Sequence, residues 1–230
     1  MRLALAQINP LVGDLQGNAE RILVAASTAQ RDGADVLLTP ELSLWGYPPR
    51  DLLLQRARIA GQAAQLDWLS NQLKSDLVVL VGVALPTDDD RAPGLTNSIA
   101  LVDRRGWRAV AHKQLLPSYD VFDERRYFRP GTGPNLLQLP NGQRLGLTIC
   151  EDLWVDDSLQ RERLAGPDPI EQLIPEQPDV VINLAASPFD ADKPLLRQKL
   201  AATAARRLNC PVVYLNQVGG NDELVFDGGS

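Results

Sequence analysis

Short apolar runs alternate along this chain with stretches whose apolar residues recur every three or four positions, the mark of strands interleaved with helices. Leu3–Ile8 reads as a buried strand. Asn18 is placed as the N-cap of a helix in which Ile22, Leu23, Ala26 and Ala29 share one face, and Gly33 ends it. Val36–Thr39 is a second strand, Ile59–Leu73 a helix, and Leu77–Ala84 another strand. Ser98–Val102 and Trp107–Ala111 then flank the turn Asp103-Arg104-Arg105-Gly106. Leu136–Leu139 and Arg144–Ile149 flank Asn141-Gly142, a strong hairpin signal. Val180–Leu184 is a buried strand, Leu196, Leu200, Ala204 and Leu208 line one helix face, and Val212–Asn216 is a further strand. Strand–helix units mixed with hairpins predict an α/β (α+β) layered domain with helices packed on sheet.

One stretch breaks the pattern. From Lys113 to Leu136 there is little periodicity, and Pro117, Pro130, Gly131, Gly133 and Pro134 fall within it. Loops longer than about 12–15 residues are uncommon in compact domains unless they serve a function. This one also carries Tyr119, Phe122, Tyr127 and Phe128. A proline-stiffened aromatic loop fits the wall of a pocket; the alternative is a loop that only packs on the core.

Composition narrows the function. With 230 residues, 44% hydrophobic and 23% charged, the chain is an ordinary globular one of a length that fits one large domain. A net charge of -6 argues against nucleic acid or an anionic membrane as partner, since both draw on clustered Lys and Arg. Two cysteines, Cys150 and Cys210, and one histidine, His112, make neither a disulfide scaffold nor a four-ligand zinc site. A reducing cytoplasm is the expected setting. The apolar start Met1-Arg2-Leu3-Ala4-Leu5-Ala6 is too short for a secretory core, and no run of roughly 18 apolar residues occurs.

The candidate chemistry stands at strand ends. Cys150 closes the strand Leu145–Ile149 and precedes Glu151-Asp152-Leu153-Trp154, a corner from which a thiol projects into a cleft. Its reactivity depends on what favours the thiolate; by itself such a cysteine is more often inert core, the reading kept for Cys210. His112 adjoins Lys113, and on an extended segment neighbours face opposite sides. The two therefore do not serve one site, and Lys113 is the candidate able to lower the thiol pKa and hold an oxyanion, with a solvated strand end as its alternative. Glu41 follows the buried run Val36–Pro40, where a carboxylate can move protons or merely cap or pair. Spacing nominates Glu41, Lys113 and Cys150 without bringing them together.

Pro40-Glu41-Leu42, His112-Lys113 with Leu116-Pro117, and Ile149-Cys150-Glu151-Asp152 resemble, in order, the three signature segments of the nitrilase (carbon–nitrogen hydrolase) superfamily. The resemblance implies a four-layer α-β-β-α sandwich. It makes Glu41 the general base and acid, Lys113 the group that steadies the tetrahedral intermediate, and Cys150 the residue acylated. Glu124 matches a second, supporting glutamate.

Leu44-Trp45-Gly46-Tyr47-Pro48-Pro49-Arg50-Asp51-Leu52, Ala186-Ser187-Pro188-Phe189 and Gly219–Gly228 are similar, more narrowly, to the glutaminase domains of bacterial glutamine-dependent NAD+ synthetases. That resemblance places Tyr119, Glu151, Ser187 and Lys193 at the amino and carboxylate ends of glutamine and Trp154 in the pocket lining. It implies that residues 1–230 are one glutaminase domain of a longer two-domain enzyme, lacking the last strands of the sandwich. It implies no metal or organic cofactor for this half; ATP, Mg and deamido-NAD belong to the C-terminal synthetase domain. The implied partners are glutamine, that synthetase domain and further copies of the chain. Hydrolysis of another small amide, a nitrile or an N-carbamoyl compound is the alternative within enzymes, and a non-catalytic oligomerisation or regulatory module the alternative outside them.

Overall fold

The computed structural model describes residues 1–87, 92–159 and 164–230. A five-stranded sheet is built from β1 (Leu3–Leu5), β2 (Val36–Leu38), β3 (Val78–Pro86), β4 (Leu95–Asp103) and β5 (Gly106–His112), in that order across the sheet. β1, β2 and β3 run parallel and β3, β4 and β5 antiparallel, as expected of two strand–helix units followed by a hairpin. A second sheet has the order β6 (Leu136–Gln138), β7 (Arg144–Ile149), β8 (Val180–Ala185), β9 (Val212–Asn216), with the last three parallel. The two-stranded ribbon β10 (Val218–Asn221) and β11 (Leu224–Asp227) was not legible in the pattern: Gly219 and Gly220 interrupt its apolar alternation.

Alternation along the first sheet sorts its side chains into two cores. Leu37, Val79, Val81, Ala100 and Val102 pack with Ile22, Ala26 and Ala29 of α1 (Leu15–Arg31) and Leu66 and Leu69 of α2 (Arg56–Gln72). Val36, Leu38, Leu80, Ile99 and Leu101 face the other way and meet Leu145, Leu147, Ile149 and Ile182 of the second sheet. Leu200, Ala204 and Leu208 of α4 (Lys193–Leu208) and Ile170 and Leu173 of α3 (Pro169–Leu173) cover the far side. The order helix, sheet, sheet, helix is the expected four-layer sandwich. Each fully buried leucine in these layers is worth about 2–5 kcal/mol on truncation to alanine.

Two local expectations change. The first strand ends at Leu5, the last residue in register with β2, although Ala6 N still donates to Leu38 O at 2.9 Å. Asp14, not Asn18, caps α1, its Oδ1 accepting from Gly17 N at 2.9 Å. Asn18 lies one turn inside the helix, fully buried, donating through Nδ2 to Leu11 O and Leu44 O and accepting from Leu11 N. It ties the helix to the loops beside it, which gives a buried polar side chain its partners.

Candidate active site

Glu41, Lys113 and Glu124 meet at the seam between the sheets. The residue after β2 would run on into the core, but Thr39 N bonds Leu80 O and the chain turns at Pro40 across β3. Gly82 makes that crossing possible: a Cβ there would stand 2.3 Å from Leu42 N and Pro40 O. Glu41 is thereby turned inward and is 1% exposed. Its Oε1 accepts from Asn97 Nδ2 at 2.8 Å and Lys113 Nζ at 2.7 Å, and its Oε2 from Ala186 N at 3.1 Å. Lys113 follows β5 and is fully buried; Nζ donates equally to Glu124 Oε1 at 2.7 Å. Burial works against its charge, but Glu124 and Glu41 outweigh that and hold the ammonium well above the ordinary lysine range. Burial pushes Glu124 up to about 7, while Lys113 pulls it down and Glu41 raises it again.

Cys150 opens a short 3-10 turn, Cys150–Leu153, at the end of β7. Its φ of +45° is a strained value for a non-glycine residue, the kind found where a side chain must be aimed. Asn183 Nδ2 holds its carbonyl at 3.3 Å. The thiol is 7% exposed. Burial and the Glu41 carboxylate push it well above the usual thiol range; Lys113 acts downward, as the sequence led us to expect, but is outweighed. Both upward effects favour the protonated thiol.

Of the other nominated residues, Tyr119 and Glu151 lie within electrostatic reach of the thiol. Tyr119 donates to Glu151 Oε1 at 3.0 Å, and burial with the Glu151 charge keeps the phenol protonated far above its usual range. Burial also raises Glu151, with Lys113 and, more weakly, Lys193 acting the other way. Lys193 opens α4 and is half-buried; Trp154 follows the Cys150 turn, its N donating to Glu151 O. Ser187 is fixed by its main chain: N donates to Asn216 Oδ1 at 2.8 Å, and O accepts from Asn216 Nδ2 at 3.1 Å and Arg197 at 2.9 Å. His112 faces away, its Nδ1 against Ser98 Oγ, and Cys210 lies at the start of β9 outside this cluster. The long loop packs and lines at once. Phe128 is buried, yet Phe122, Tyr127 and Phe128 wall a cavity of about 280 Å³ with Tyr47 and Glu124.

Several members of the cluster are not among the residues nominated from the sequence. Tyr47 donates to Glu124 Oε1 at 2.8 Å, and Asn97 accepts Lys113 N on its carbonyl while its side chain holds Glu41. The signal for Asn97, Asn183 and Asn216 was present: an amide inside an apolar strand must find partners or cost stability. Among the described residues no three His, Cys, Asp or Glu side chains gather as ligands for a metal, and no helix is long and apolar enough to cross a membrane.

A two-sheet sandwich with a carboxylate, an ammonium and a thiol at its seam is the architecture of a cysteine-dependent hydrolase of carbon–nitrogen bonds. The carbon–nitrogen hydrolase family model matches residues 2–230, and the chain belongs to that family. It is 43% identical over 231 residues to the glutamine-dependent NAD(+) synthetase of Synechocystis sp., covering 99% of this chain and 41% of that protein. The structure of the glutamine-dependent NAD+ synthetase from Acinetobacter baumannii, in complex with ADP, superposes with a TM-score of 0.82 at 34% identity, over 98% of this chain and 40% of that one. An amidase from Nesterenkonia sp. AN1 superposes at 0.76 with 26% identity over 99% of this chain and 80% of its own; that structure carries the acetamide moiety of fluoroacetamide on its active-site cysteine. The chain thus spans about two-fifths of the synthetases it matches.

Proposed function

We propose that this chain hydrolyses the side-chain amide of L-glutamine to glutamate and ammonia through a thioester on Cys150. In a longer enzyme the ammonia then serves a C-terminal synthetase domain that makes NAD+ from deamido-NAD with ATP and Mg. Residues 1–230 form the glutaminase domain of that enzyme, in the cytoplasm and as a homo-oligomer. The observation that carries the reading is the buried Glu41–Lys113–Glu124 cluster beside a protonated Cys150 thiol, with Tyr119 and Glu151 paired nearby.

The chemistry follows from the charges. Glu41 accepts the Cys150 proton as the sulfur attacks the amide carbon, because the buried thiol does not ionise by itself. Negative charge moves to the carbonyl oxygen, which the Lys113 ammonium stabilises in a dry site; losing one such donor typically costs about 10²–10³ in rate. Glu41 returns the proton to the departing amine, and ammonia leaves. The same carboxylate activates water to cleave the thioester and release glutamate. Glu124 and Tyr47 keep Lys113 charged and in place. Glu151 suits the α-ammonium of the substrate, and Lys193 with the Ser187 segment suits its α-carboxylate.

The test is mass spectrometry after treatment with a glutamine-mimicking diazoketone, with ammonia release assayed on the same preparation. Adduct on Cys150 alone, suppressed by excess glutamine, is expected, and Cys150→Ala abolishes both adduct and turnover. Turnover that survives Cys150→Ala refutes the mechanism. Labelling that glutamine does not suppress returns the substrate to the wider class of small amides, nitriles and N-carbamoyl compounds, a breadth that the likeness to the Nesterenkonia amidase keeps open.

A further inference from the structure

We propose that Asp152 is a positioning residue, whose carboxylate locks the turn bearing Cys150 to the chain segment that leaves Lys113. The inference rests on the amidase reading but concerns a residue outside the proton-transfer and substrate groups. Asp152 is fully buried, and both of its oxygens are engaged by main chain. Oδ1 accepts from Gln114 N at 3.0 Å and Leu115 N at 2.9 Å, the two residues directly after Lys113. Oδ2 accepts from Ile149 N at 3.1 Å, the residue directly before Cys150.

A carboxylate at this place in a short turn needs only the Ile149 bond to cap it. The other two bonds reach 38 and 37 residues back along the chain, to a segment that leaves the opposite sheet. Asp152 therefore acts as a clip between the two pieces of backbone that present the ammonium and the thiol. Hydrogen bonds to an ionised acceptor are about twice as strong as neutral ones, and three converge here. The clip is needed because the Cys150 backbone is strained and would relax away from φ +45° if released. Asn183 restrains the carbonyl on the other side of the same residue, so the nucleophile's main chain is held before and after its Cα. Burial raises Asp152 to about 6 against the pull of its three N–H donors, so the ionised form that makes the clip prevails at neutral pH.

Asp152→Asn keeps the shape but sets an amide NH2 against a main-chain N–H on one side or the other. The experiment compares this variant with the wild-type chain in three readouts: kcat and KM for glutamine, the second-order rate of Cys150 alkylation by iodoacetamide, and the melting temperature. We expect a folded variant whose kcat falls at least tenfold, by more than KM rises, and whose alkylation rate changes likewise. A folded variant with wild-type kcat and alkylation rate overturns the proposal. If Asp152→Asn does not fold, Asp152→Glu decides: it keeps the charge but misplaces the oxygens, so a lowered kcat supports the clip and a wild-type kcat overturns it. The wild-type chain's own glutamine turnover tests the substrate reading separately. Should that be absent, the alkylation rates still report whether Asp152 aims Cys150.

Discussion

Replacing Glu41 by glutamine separates three effects that most active-site changes confound. The carboxylate accepts three hydrogen bonds, from Asn97, Lys113 and Ala186 N. Glutamine offers one oxygen and one NH2, so either the Ala186 N–H or the Asn97 and Lys113 donors must face another donor. A buried donor left unpaired costs about 1–3 kcal/mol. Lys113 keeps Glu124 at 2.7 Å, so the larger penalty of a wholly unpaired buried ammonium is avoided. The expected loss of stability is therefore about 1–3 kcal/mol, measurable as a urea midpoint shift. If Glu41 is the general base proposed above, turnover falls much further, by about 10²–10⁴. The thiol moves in the opposite sense: Glu41 raises Cys150 and Lys113 lowers it, so the variant's thiol ionises more readily. The pH profile of iodoacetamide alkylation shifts to lower pH while glutamine hydrolysis collapses. Glutamine turnover within tenfold of wild type, or an alkylation midpoint that rises, would refute the assignment of Glu41 as the base facing this thiol.

Three further outcomes are expected. Gly82→Ala puts a Cβ 2.3 Å from the main chain beside Glu41, so it should cost about 1–3 kcal/mol by overpacking and lower kcat; a wild-type urea midpoint and kcat together would count against the crossing described here. Burial lifts Glu124 to about 7, against about 4.3 in an unfolded chain. Its contribution to stability is thus present in full below about pH 4.3 and lost as pH rises through 7, on the order of 4 kcal/mol. Urea unfolding between pH 5 and 8 should show a decline that Glu124→Gln flattens, and an unchanged slope in that variant would remove Glu124 as its source. Arg197→Lys cannot reproduce the guanidinium's bonds to Asp227, Ser187 O and Pro188 O. Loss of one charge-assisted bond should cost about 1.5–3 kcal/mol of stability, and the loosened Ser187 segment should raise KM for glutamine, whereas a fall in kcat at constant KM would mean that this segment serves chemistry rather than binding.

How far the sequence foretold this molecule depends on the range of the interaction. The strands of both sheets and the faces of α1 and α4 were legible because period-2 and period-3.6 burial is local, while α2 was placed as a helix without a face. The 218–227 ribbon was not, since its glycines carry no hydrophobic signal, and Asn18 was misplaced as a cap because a capping side chain and a core amide look alike in one dimension. Glu41, Lys113 and Cys150 were each visible as chemistry-bearing residues at strand ends. Their convergence was not, because it depends on the docking of two sheets; only the family resemblance joined them. The roles of Asn97, Tyr47 and Asp152 escaped because they are defined by partners 38 to 77 positions away: Glu41 lies 56 from Asn97, Glu124 lies 77 from Tyr47, and Gln114 lies 38 from Asp152.

The seam between the sheets has a consequence for the order in which a growing chain acquires its reactivity. Glu41 and Lys113 belong to the first sheet, whose strands are all synthesised by His112, whereas Cys150 and the Ala186 amide come with the second. A nascent chain ending between them holds acid and ammonium on an open, wet face with no thiol to serve. When the thiol does emerge, it gains its carboxylate neighbour and its buried surroundings in the same docking event that closes the core. Partly made or partly unfolded chains thus lack the assembled thiol–carboxylate–ammonium cluster, and the onset of Cys150 alkylation by a glutamine mimic is expected to report the moment at which the two halves join.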